Sequence, residues 1–222
     1  MSTAEQSTSA NSPDGTFLRA RIGARIGSLV AVMPLGVWTV LHLWNNLAAF
    51  RGAEAWEESV THYSHPLAHF ATMVVVLLPI VLHTVWGVNR LRTARPNNLR
   101  YGFFANLKYL VQRVSAFGVL LFLGAHIYKA MVEPRFMHGH PERFADISGQ
   151  MAHHMPTLAV YLLGTLGVAY HLANGLASFA MGWGIIVSRR SLKKFEWATI
   201  GMFLVFLGMS WSIIFAMWKQ GQ

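Results

Sequence analysis

The sequence contains no cysteine, and this absence excludes several kinds of structure. Without thiols the chain forms no disulfide, and it cannot hold an iron–sulfur cluster or attach a c-type haem through its own cysteines. Charged residues are also scarce: they make up 12% of the 222 residues, whereas roughly a quarter is usual in soluble domains. Because 54% of the residues are hydrophobic, the composition indicates a membrane protein.

Acidic residues are the other shortage, since nine Asp and Glu stand against 18 Lys and Arg. The resulting net charge of +9 is also found in nucleic-acid-binding proteins. Here, however, the basic residues form short blocks between long apolar runs, a pattern typical of the inner face of membrane proteins. Residues 1–18 are rich in Ser and Thr and lack the apolar core of a secretory signal, so they are predicted to form a flexible cytoplasmic tail.

Long apolar runs are abundant, and five of them reach the roughly 20 residues that a helix needs to cross a bilayer. A backbone without access to water must satisfy its own hydrogen bonds, so each run is predicted to be a helix. No run shows the alternation of a membrane barrel. The sequence therefore predicts an all-α membrane protein, with a five-helix bundle in residues 19–222 and spans near 29–50, 66–88, 114–132, 157–187 and 197–218.

The flanking charges predict the orientation of the bundle. The segment before the first predicted span (1–28), the loop 89–113 and the loop 188–196 together contain 13 of the 18 Lys and Arg residues. Loops rich in Lys and Arg usually face the cytoplasm. We therefore expect the N-terminus inside and the C-terminus outside.

Four of the eleven histidines lie singly in the first four spans. A single buried histidine is most often a hydrogen-bonded core residue, but ionisable residues within a membrane are rare and usually paired or functional. Their distribution over four helices favours a shared ligand role for His42, His83, His126 and His171. The other seven lie in or beside the loops of the opposite side, where solvated roles are expected: His62, His65, His69, His138, His140, His153 and His154.

The alternating direction of the helices predicts which histidines pair. His42 and His126 come late in helices that start inside, so both lie towards the outer leaflet, whereas His83 lies towards the inner leaflet. His171 is the remaining partner for His83. Two imidazoles from facing helices, without a carboxylate or thiolate nearby, suit haem iron better than zinc, which prefers four compact ligands. The bundle is therefore predicted to enclose two stacked haem b groups.

Small residues beside two of these ligands are consistent with this prediction. His171 has Gly167 and Gly175 four residues away on either side, and His83 has Gly87. Glycines on the same face of the helix as the histidine leave room for a flat porphyrin. Close packing between membrane helices is the alternative, because such packing also uses small residues.

Three stretches together resemble a known family: RIGSLVAVMPLGVWTVLHLWNN (25–46), NLKYLVQRVSAFGVLLFLGAHIYK (106–129) and YHLANGLASFAMGWGIIVSRRS (170–191). They look like the di-haem cytochrome b anchor of succinate:quinone oxidoreductases and fumarate reductases, in its single-polypeptide, five-helix form. The spacings of 41, 43 and 45 residues between the four histidines are similar to that family's placing of one ligand per helix. The resemblance covers nearly all of the chain after the tail.

The resemblance implies a role for each ligand and a set of partners. His42 and His126 match the distal haem pair, and His83 and His171 match the proximal pair. A flavoprotein and an iron–sulfur protein are expected on the cytoplasmic face of a bacterial plasma membrane. The flavoprotein carries the succinate site, and the chain itself is expected to pass electrons to a membrane quinone, either menaquinone or ubiquinone. Fumarate reduction is the same reaction in reverse.

Other site residues are expected at the two ends of the spans, although no catalytic residue is assigned. Haem propionates need charged or hydroxyl donors, for which Arg25, Ser28 and Arg113 are candidates, with a purely topological role as the alternative for the arginines. Candidates for a quinone site at the outer end are Asn45, Asn46, Glu58 and His65. Helix capping and interfacial solvation are their alternatives.

Two rival functions are also open. The same two haems would serve a cytochrome b anchor of a hydrogenase or a formate dehydrogenase, which would differ in its soluble partners. A haem-free transporter with intramembrane histidines for proton coupling would show an internal repeat. The halves of this chain show no convincing repeat, and the unpaired fifth helix argues against one.

Overall fold

The structure is a computed structural model that describes residues 13–62, 66–92 and 102–222. All regular secondary structure in these residues is helical. Five of the helices are long and apolar enough to cross a membrane. The prediction of an all-α protein with five spans is therefore confirmed.

Seven helices follow one another along the described chain. The first, α1, runs without a break through four segments, and α4 continues into a π-helical segment at its end. The bounds are α1 (Pro13–Val30, Ala31–Gly36, Val37–Asn46 and Leu47–Arg51), α2 (Ala53–Val60), α3 (Pro66–Arg92), α4 (Phe104–Ile127, then Tyr128–Met137), α5 (Phe144–His153), α6 (Met155–Gly182) and α7 (Arg189–Gln220). Of these, α1, α3, α4, α6 and α7 are the candidate spans.

The helix ends differ from the predicted spans. The first helix begins at Pro13, within the segment 1–18 that was expected to be a tail, and residues 1–12 lie outside the described residues. Helices α4 and α7 also start earlier than expected, since a helix can continue into water once its backbone bonds are made. In contrast, α6 ends at Gly182 rather than near residue 187, because Gly184 turns the chain with a φ of +74°.

The prolines within the spans have different effects. Pro34 lies in the π-helical segment Ala31–Gly36, where the helix widens by one residue per turn. This widening accommodates a proline, which cannot donate a backbone hydrogen bond. Pro79 lies within α3, which is helical from end to end.

The helices run up and down, so that the chain's basic segments meet at one end of the bundle. At this end, which we call the basic end, Arg25 of α1 lies 5.5 Å from the ring of Trp183 beyond α6, and Lys108 of α4 pairs with Glu196 of α7. At the opposite end, Gln220 of α7 donates to the carbonyl of Ala49 at the end of α1. The short helices α2 and α5 cover that end.

Packing between the helices is uneven. Helix α6 makes extensive contacts with α4 and α7, and α5 packs on α7. Helix α3 packs mainly against α1, where the ring of Trp86 lies over Gly27. Large apolar side chains such as Val75, Leu121 and Leu163 are more than half exposed on the outside of the bundle. Such an apolar outer surface fits contact with lipid.

Gly164 on α6 is required by the close approach of α4. A Cβ atom at this position would lie 2.2 Å from the ring of Phe122. Overpacking of this kind costs about 1–3 kcal/mol, which exceeds the gain of about 1 kcal/mol that alanine brings within a helix. We therefore expect Gly164→Ala to lower the midpoint of thermal unfolding of the detergent-purified protein by several degrees. Gly208→Ala is the control because its Cβ would meet nothing within 4 Å, and equal midpoints for the two variants would contradict the packing argument.

Candidate functional site

A large cavity lies between α1, α3, α4 and α6. Its volume is about 1190 Å³, which is above the range of roughly 300–1,000 Å³ that is usual for one drug-sized ligand. It runs from Arg25 near the basic end to Glu142 at the opposite end. All four intramembrane histidines line it.

The four histidines form two facing pairs. The ring centres of His42 and His126 are 5.9 Å apart with an angle of 68° between the ring planes. The ring centres of His83 and His171 are 6.2 Å apart at 69°. The two pairs join α1 to α4 and α3 to α6, as the depth argument predicts.

These separations suit one metal ion between the two rings of each pair. A metal with bonds of about 2.0 Å to opposite imidazole nitrogens, each about 1.1 Å from its ring centre, holds the ring centres about 6.2 Å apart. Direct hydrogen bonds would bring the rings closer than this. No group of three or more His, Cys, Asp or Glu side chains gathers in the described residues, so the donor set is that of two imidazoles per ion.

The pairs lie at different depths. On α4, Gln112 contacts His171 of one pair, and His126 belongs to the other pair. The 14 residues between these two positions correspond to roughly 20 Å along a helix. The cavity therefore offers two separate two-imidazole sites in a column along the bundle.

Tyr161 of α6 orients the ring of His126. The Tyr161 hydroxyl lies 3.1 Å from His126 Nδ1, and the Phe122 ring stacks on the imidazole with centres 5.5 Å apart. Since Nδ1 is engaged, Nε2 is the nitrogen left to face the cavity. Contacts of this kind fix the tautomer and the orientation of histidine ligands.

Gln112 and Ser115 hold His171 in a similar way. Gln112 Nε2 donates to the His171 carbonyl at 3.0 Å and lies 3.2 Å from His171 Nδ1. The Ser115 hydroxyl is 3.5 Å from the same nitrogen and can accept its proton. Asn174 Nδ2 donates to Gln112 Oε1 at 2.9 Å, which fixes the amide. Neither Gln112 nor Ser115 was named from the sequence. Gln112 falls in the predicted loop 89–113, where a glutamine carries no signal, whereas the helix in fact begins at Phe104.

His42 has a buried support at the end of α1. Asn46 Nδ2 donates to the His42 carbonyl at 2.8 Å, and Trp56 Nε1 donates to Asn46 Oδ1 at 3.0 Å. Trp56 is only 2% exposed. On its other side, the His42 ring stacks on Trp38 with centres 5.8 Å apart.

His83 is the least supported of the four. Its Nδ1 atom is buried and has no hydrogen-bond partner in the described residues. The Trp86 ring lies 5.8 Å away. A buried nitrogen without a partner is costly, and His83 lacks the Nδ1 contact that His126 and His171 have.

The glycines beside His83 and His171 are of two kinds. Gly87 and Gly175 line the cavity, and nothing lies within 4 Å of a Cβ placed on Gly87. Gly167 faces α4, where its Cβ would meet Val119 at 3.5 Å. Both readings of the sequence therefore apply, because Gly87 leaves open space and Gly167 serves helix packing.

Donors at the basic end border the cavity. Ser28 donates to the Arg25 carbonyl at 2.8 Å and accepts from Trp183 Nε1 at 3.2 Å. The Arg113 guanidinium stacks on Tyr109, and its buried Nε atom lacks a partner in the described residues. Arg25, Ser28 and Arg113 were named from the sequence; Arg21 and Arg90, which also line the cavity, were not.

The four residues named for the opposite end have different positions. Asn45 lines the cavity. Asn46 also lines it, but its amide is engaged by His42 and Trp56. Glu58 is exposed and is not part of the cavity wall, and His65 lies outside the described residues.

Two charged residues that the sequence analysis did not name complete that end of the cavity. Arg135 and Glu142 both line it. A basic and an acidic residue in a loop are usually solvated, and nothing in their spacing signals that they face a cavity. The π-helical end of α4 brings Arg135 there, and the loop after α4 brings Glu142.

The comparisons with known proteins agree with this architecture. Residues 92–209 match the family described as succinate dehydrogenase/fumarate reductase transmembrane subunit. The chain is 31% identical to the succinate dehydrogenase cytochrome b558 subunit of Bacillus subtilis (strain 168) over 194 residues, which cover 86% of this chain and 94% of that protein. No solved structure matches the chain.

Proposed function

The chain belongs to the succinate dehydrogenase/fumarate reductase transmembrane subunit family, and from this premise we propose that it is the cytochrome b anchor of a succinate dehydrogenase. Its role is to connect an iron–sulfur partner to a membrane quinone through two haem b groups, each held by two histidines. The observation that carries the proposal is the column of two facing imidazole pairs within one cavity that runs along the bundle. The succinate site lies on a flavoprotein partner.

The direction of the reaction is the finer part of the proposal. The family description covers both succinate oxidation and fumarate reduction. Succinate oxidation is preferred because the Bacillus subtilis relative is named for it. An anchor of a hydrogenase or a formate dehydrogenase, with the same imidazole pairs, is not favoured by either comparison.

The residues of the cavity fit haem b. His42 and His126 hold the iron nearer the opposite end, and His83 and His171 hold the iron nearer the basic end. For His126 and His171 the ligand atom would be Nε2, because Tyr161 and Ser115 engage the Nδ1 atoms of these two imidazoles. When bound, haem supplies reversible one-electron transfer between the iron–sulfur partner and the quinone.

The other lining residues provide charge and space. Arg25 and Arg113 would neutralise the propionates at the basic end through charge-assisted hydrogen bonds. The Ser28 hydroxyl, which donates to the Arg25 carbonyl in the structure, would have to turn to donate to a propionate. Gly87 and Gly175 leave room for the macrocycle. The apolar wall keeps water away from the imidazoles, so that their geometry is fixed by packing.

The proposed location is the plasma membrane of a bacterium, with the basic end in the cytoplasm. The basic loops have the excess of Lys and Arg that cytoplasmic loops carry. Residues 19–222 form the cytochrome domain, and the residues before them form its cytoplasmic extension. The flavoprotein and iron–sulfur subunits dock at the basic end, and the quinone binds at the opposite end.

The test of this proposal is the purified complex. We expect the chain to co-purify with a flavoprotein and an iron–sulfur protein, and a pyridine haemochrome assay to give two b-type haems per chain. Succinate should reduce both haems and should drive the reduction of an added short-chain quinone. A colourless chain, or a complex that contains a metal-hydrogenase subunit, would overturn the proposal.

Tyr161→Phe tests the support of one histidine ligand. The variant removes the hydroxyl group 3.1 Å from His126 Nδ1, and the loss of such an outer partner typically costs 10–100-fold in metal affinity. We expect weaker retention of one haem, by about 10-fold, and a shifted midpoint potential for that haem in a redox titration. Tyr170→Phe is the control because the Tyr170 hydroxyl donates to the Lys108 carbonyl. Superimposable titrations of both variants and the wild type would exclude this role of Tyr161.

A further inference from the structure

The loop between α4 and α5 brings one carboxyl group to the cavity. Glu142 lines the cavity wall together with Arg135 and Tyr161. It interacts electrostatically with Tyr161, whose hydroxyl contacts His126. Glu142 therefore lies at the opposite end of the cavity, beside the pair formed by His42 and His126.

The position of Glu142 is fixed by its surroundings. Two residues later, the backbone N–H of Phe144 donates to Glu57 Oε1 at 2.8 Å. The Phe144 ring is 4% exposed and packs edge-on against Trp56. The carboxylate of Glu57 is thus committed to holding the loop, while the half-buried carboxyl of Glu142 borders the cavity.

Arg135 is held beside the same space. Pro134 lies in the π-helical segment of α4 and, like Pro34 in the π-helical segment of α1, has no backbone N–H to donate. In α4, the carbonyl of Ala130, four residues before Pro134, instead accepts a hydrogen bond from Arg135 Nη1 at 3.2 Å. This bond directs the guanidinium along the end of α4, where it lines the cavity.

The burial of Glu142 gives it an unusual protonation state. Burial raises the pKa of the Glu142 carboxyl to about 8, although Arg135 lowers it and Asp146 raises it further. The charged or titratable groups on the surrounding elements are Arg135 at the end of α4, Asp146 on α5, Tyr161 on α6, Glu57 on α2 and His62 directly after α2. At neutral pH the carboxyl is therefore protonated and carries a proton that it can donate.

We propose that Glu142 is the catalytic proton donor of the quinone site, at the opposite end of the cavity from the docked subunits. This inference rests on the proposed function and names a residue of its quinone site. The occupant is a benzoquinone or naphthoquinone whose carbonyl oxygen approaches the Glu142 carboxyl. Arg135 balances the negative charge that is left on Glu142 after it has given up its proton.

The reaction balances with the partners already named. Succinate is oxidised to fumarate on the flavoprotein, and its two electrons reach the quinone by way of the iron–sulfur partner and this chain. The O–H bond of Glu142 breaks as a new O–H bond forms on a quinone carbonyl oxygen. Water at that end of the bundle returns a proton to the carboxylate, and the second carbonyl oxygen receives its proton by the same route, which gives the quinol.

Other residues at this end are less suited to proton donation. The amide of Asn46 is occupied by His42 and Trp56. Glu58 is exposed and does not line the cavity. Asn45 can donate a hydrogen bond to a quinone oxygen but has no titratable proton to give.

The experiment uses the whole complex with Glu142→Gln, which keeps the shape of the side chain but removes the acidic proton. General acid catalysis typically contributes 10²–10⁴-fold, so we expect the rate of succinate-driven reduction of short-chain ubiquinone and menaquinone analogues to fall about 100-fold. Haem content and the reduction of both haems by succinate without added quinone should stay at the wild-type level. Glu142→Asp, which keeps a carboxyl group, should restore part of the rate.

The pH dependence provides a second readout. Because the acid form predominates below the raised pKa, the wild-type turnover number should fall as the pH rises through about 8, and this limb should be absent in Glu142→Gln. Glu54→Gln changes an exposed acid of α2 and should behave as the wild type.

The outcomes separate the two proposals. A quinone reduction rate within threefold of wild type in Glu142→Gln, or a wild-type rate that is flat from pH 7 to pH 9, would overturn the role of Glu142 while the haem-carrying function stands. Haem that succinate fails to reduce in the wild-type complex would instead overturn the proposed function, and with it the role of Glu142.

Discussion

His83→Ala is expected to leave the purified chain with one haem b instead of two. His83 faces His171 at 6.2 Å between ring centres, and no other histidine side chain of the described residues is paired with either of them. A single imidazole on one side of the iron is a much weaker site than two. The pair formed by His42 and His126 lies on other segments of the cavity wall and should keep its haem. Since the lost haem is the one nearer the iron–sulfur partner, succinate-driven reduction of the remaining haem should slow by at least 100-fold.

The measurement is a haemochrome assay per chain, combined with a reduced-minus-oxidised spectrum. His138→Ala is the matched control, because His138 is exposed and is not part of the cavity wall. It should retain both haems and the wild-type rate. Retention of two haems by His83→Ala would refute the pairing, and loss of both haems with an intact fold would show that the two sites are not independent.

The sequence was sufficient for the fold and for the approximate depth of each histidine. Spans of about 20 apolar residues leave no alternative to helices in lipid, and alternating helices fix which residues share a leaflet. The structure brings His42 to His126 and His83 to His171 as that argument requires. Their role as iron ligands stays a prediction until haem is measured.

The sequence was less informative where helices end. A hydropathy pattern marks the apolar part of a span, but α1 extends back to Pro13, because proline is tolerated in the first turn of a helix and the Leu, Arg and Ala residues from Leu18 onward favour helix. The short helices α2 and α5 have too few apolar residues to be recognised as spans. They decide the position of Trp56 and Phe144, and thereby the geometry of the opposite end.

The polar residues that form hydrogen bonds with the histidines also could not be predicted from the sequence. Asn46 was named as a quinone residue because an amide at the end of a span is a plausible donor. In the structure this amide joins the His42 carbonyl to Trp56, which lies ten residues after Asn46 in the chain. The quinone role of Asn46 stays a prediction. Glu142 had no distinguishing pattern, because its burial depends on the loop that Glu57 holds.

Gly87→Leu is the second variant with a large expected effect. It tests whether the cavity beside His83 and His171 is a haem site or a consequence of loose packing. Gly87 lies one helical turn after His83 on the same face of α3. It lines the cavity, and a Cβ at this position would meet no atom within 4 Å. A leucine therefore enters free space in the protein but occupies the volume that a macrocycle would need. We expect one haem per chain to be lost while the protein remains folded.

The control for this variant is Gly118→Leu on α4, whose Cβ also meets nothing within 4 Å but which is exposed on the outside of the bundle. Both variants replace a helical glycine by leucine, so in haem-stripped detergent preparations, where no bound ligand contributes, their thermal midpoints should rise by a similar amount. Only Gly87→Leu should lose haem, as measured by the absorbance of the purified chain. If Gly87→Leu binds two haems, the space beside His83 does not hold a porphyrin. If instead its midpoint falls sharply, the space is needed for the packing of α3, because free volume accepts a side chain whereas a packed interface does not.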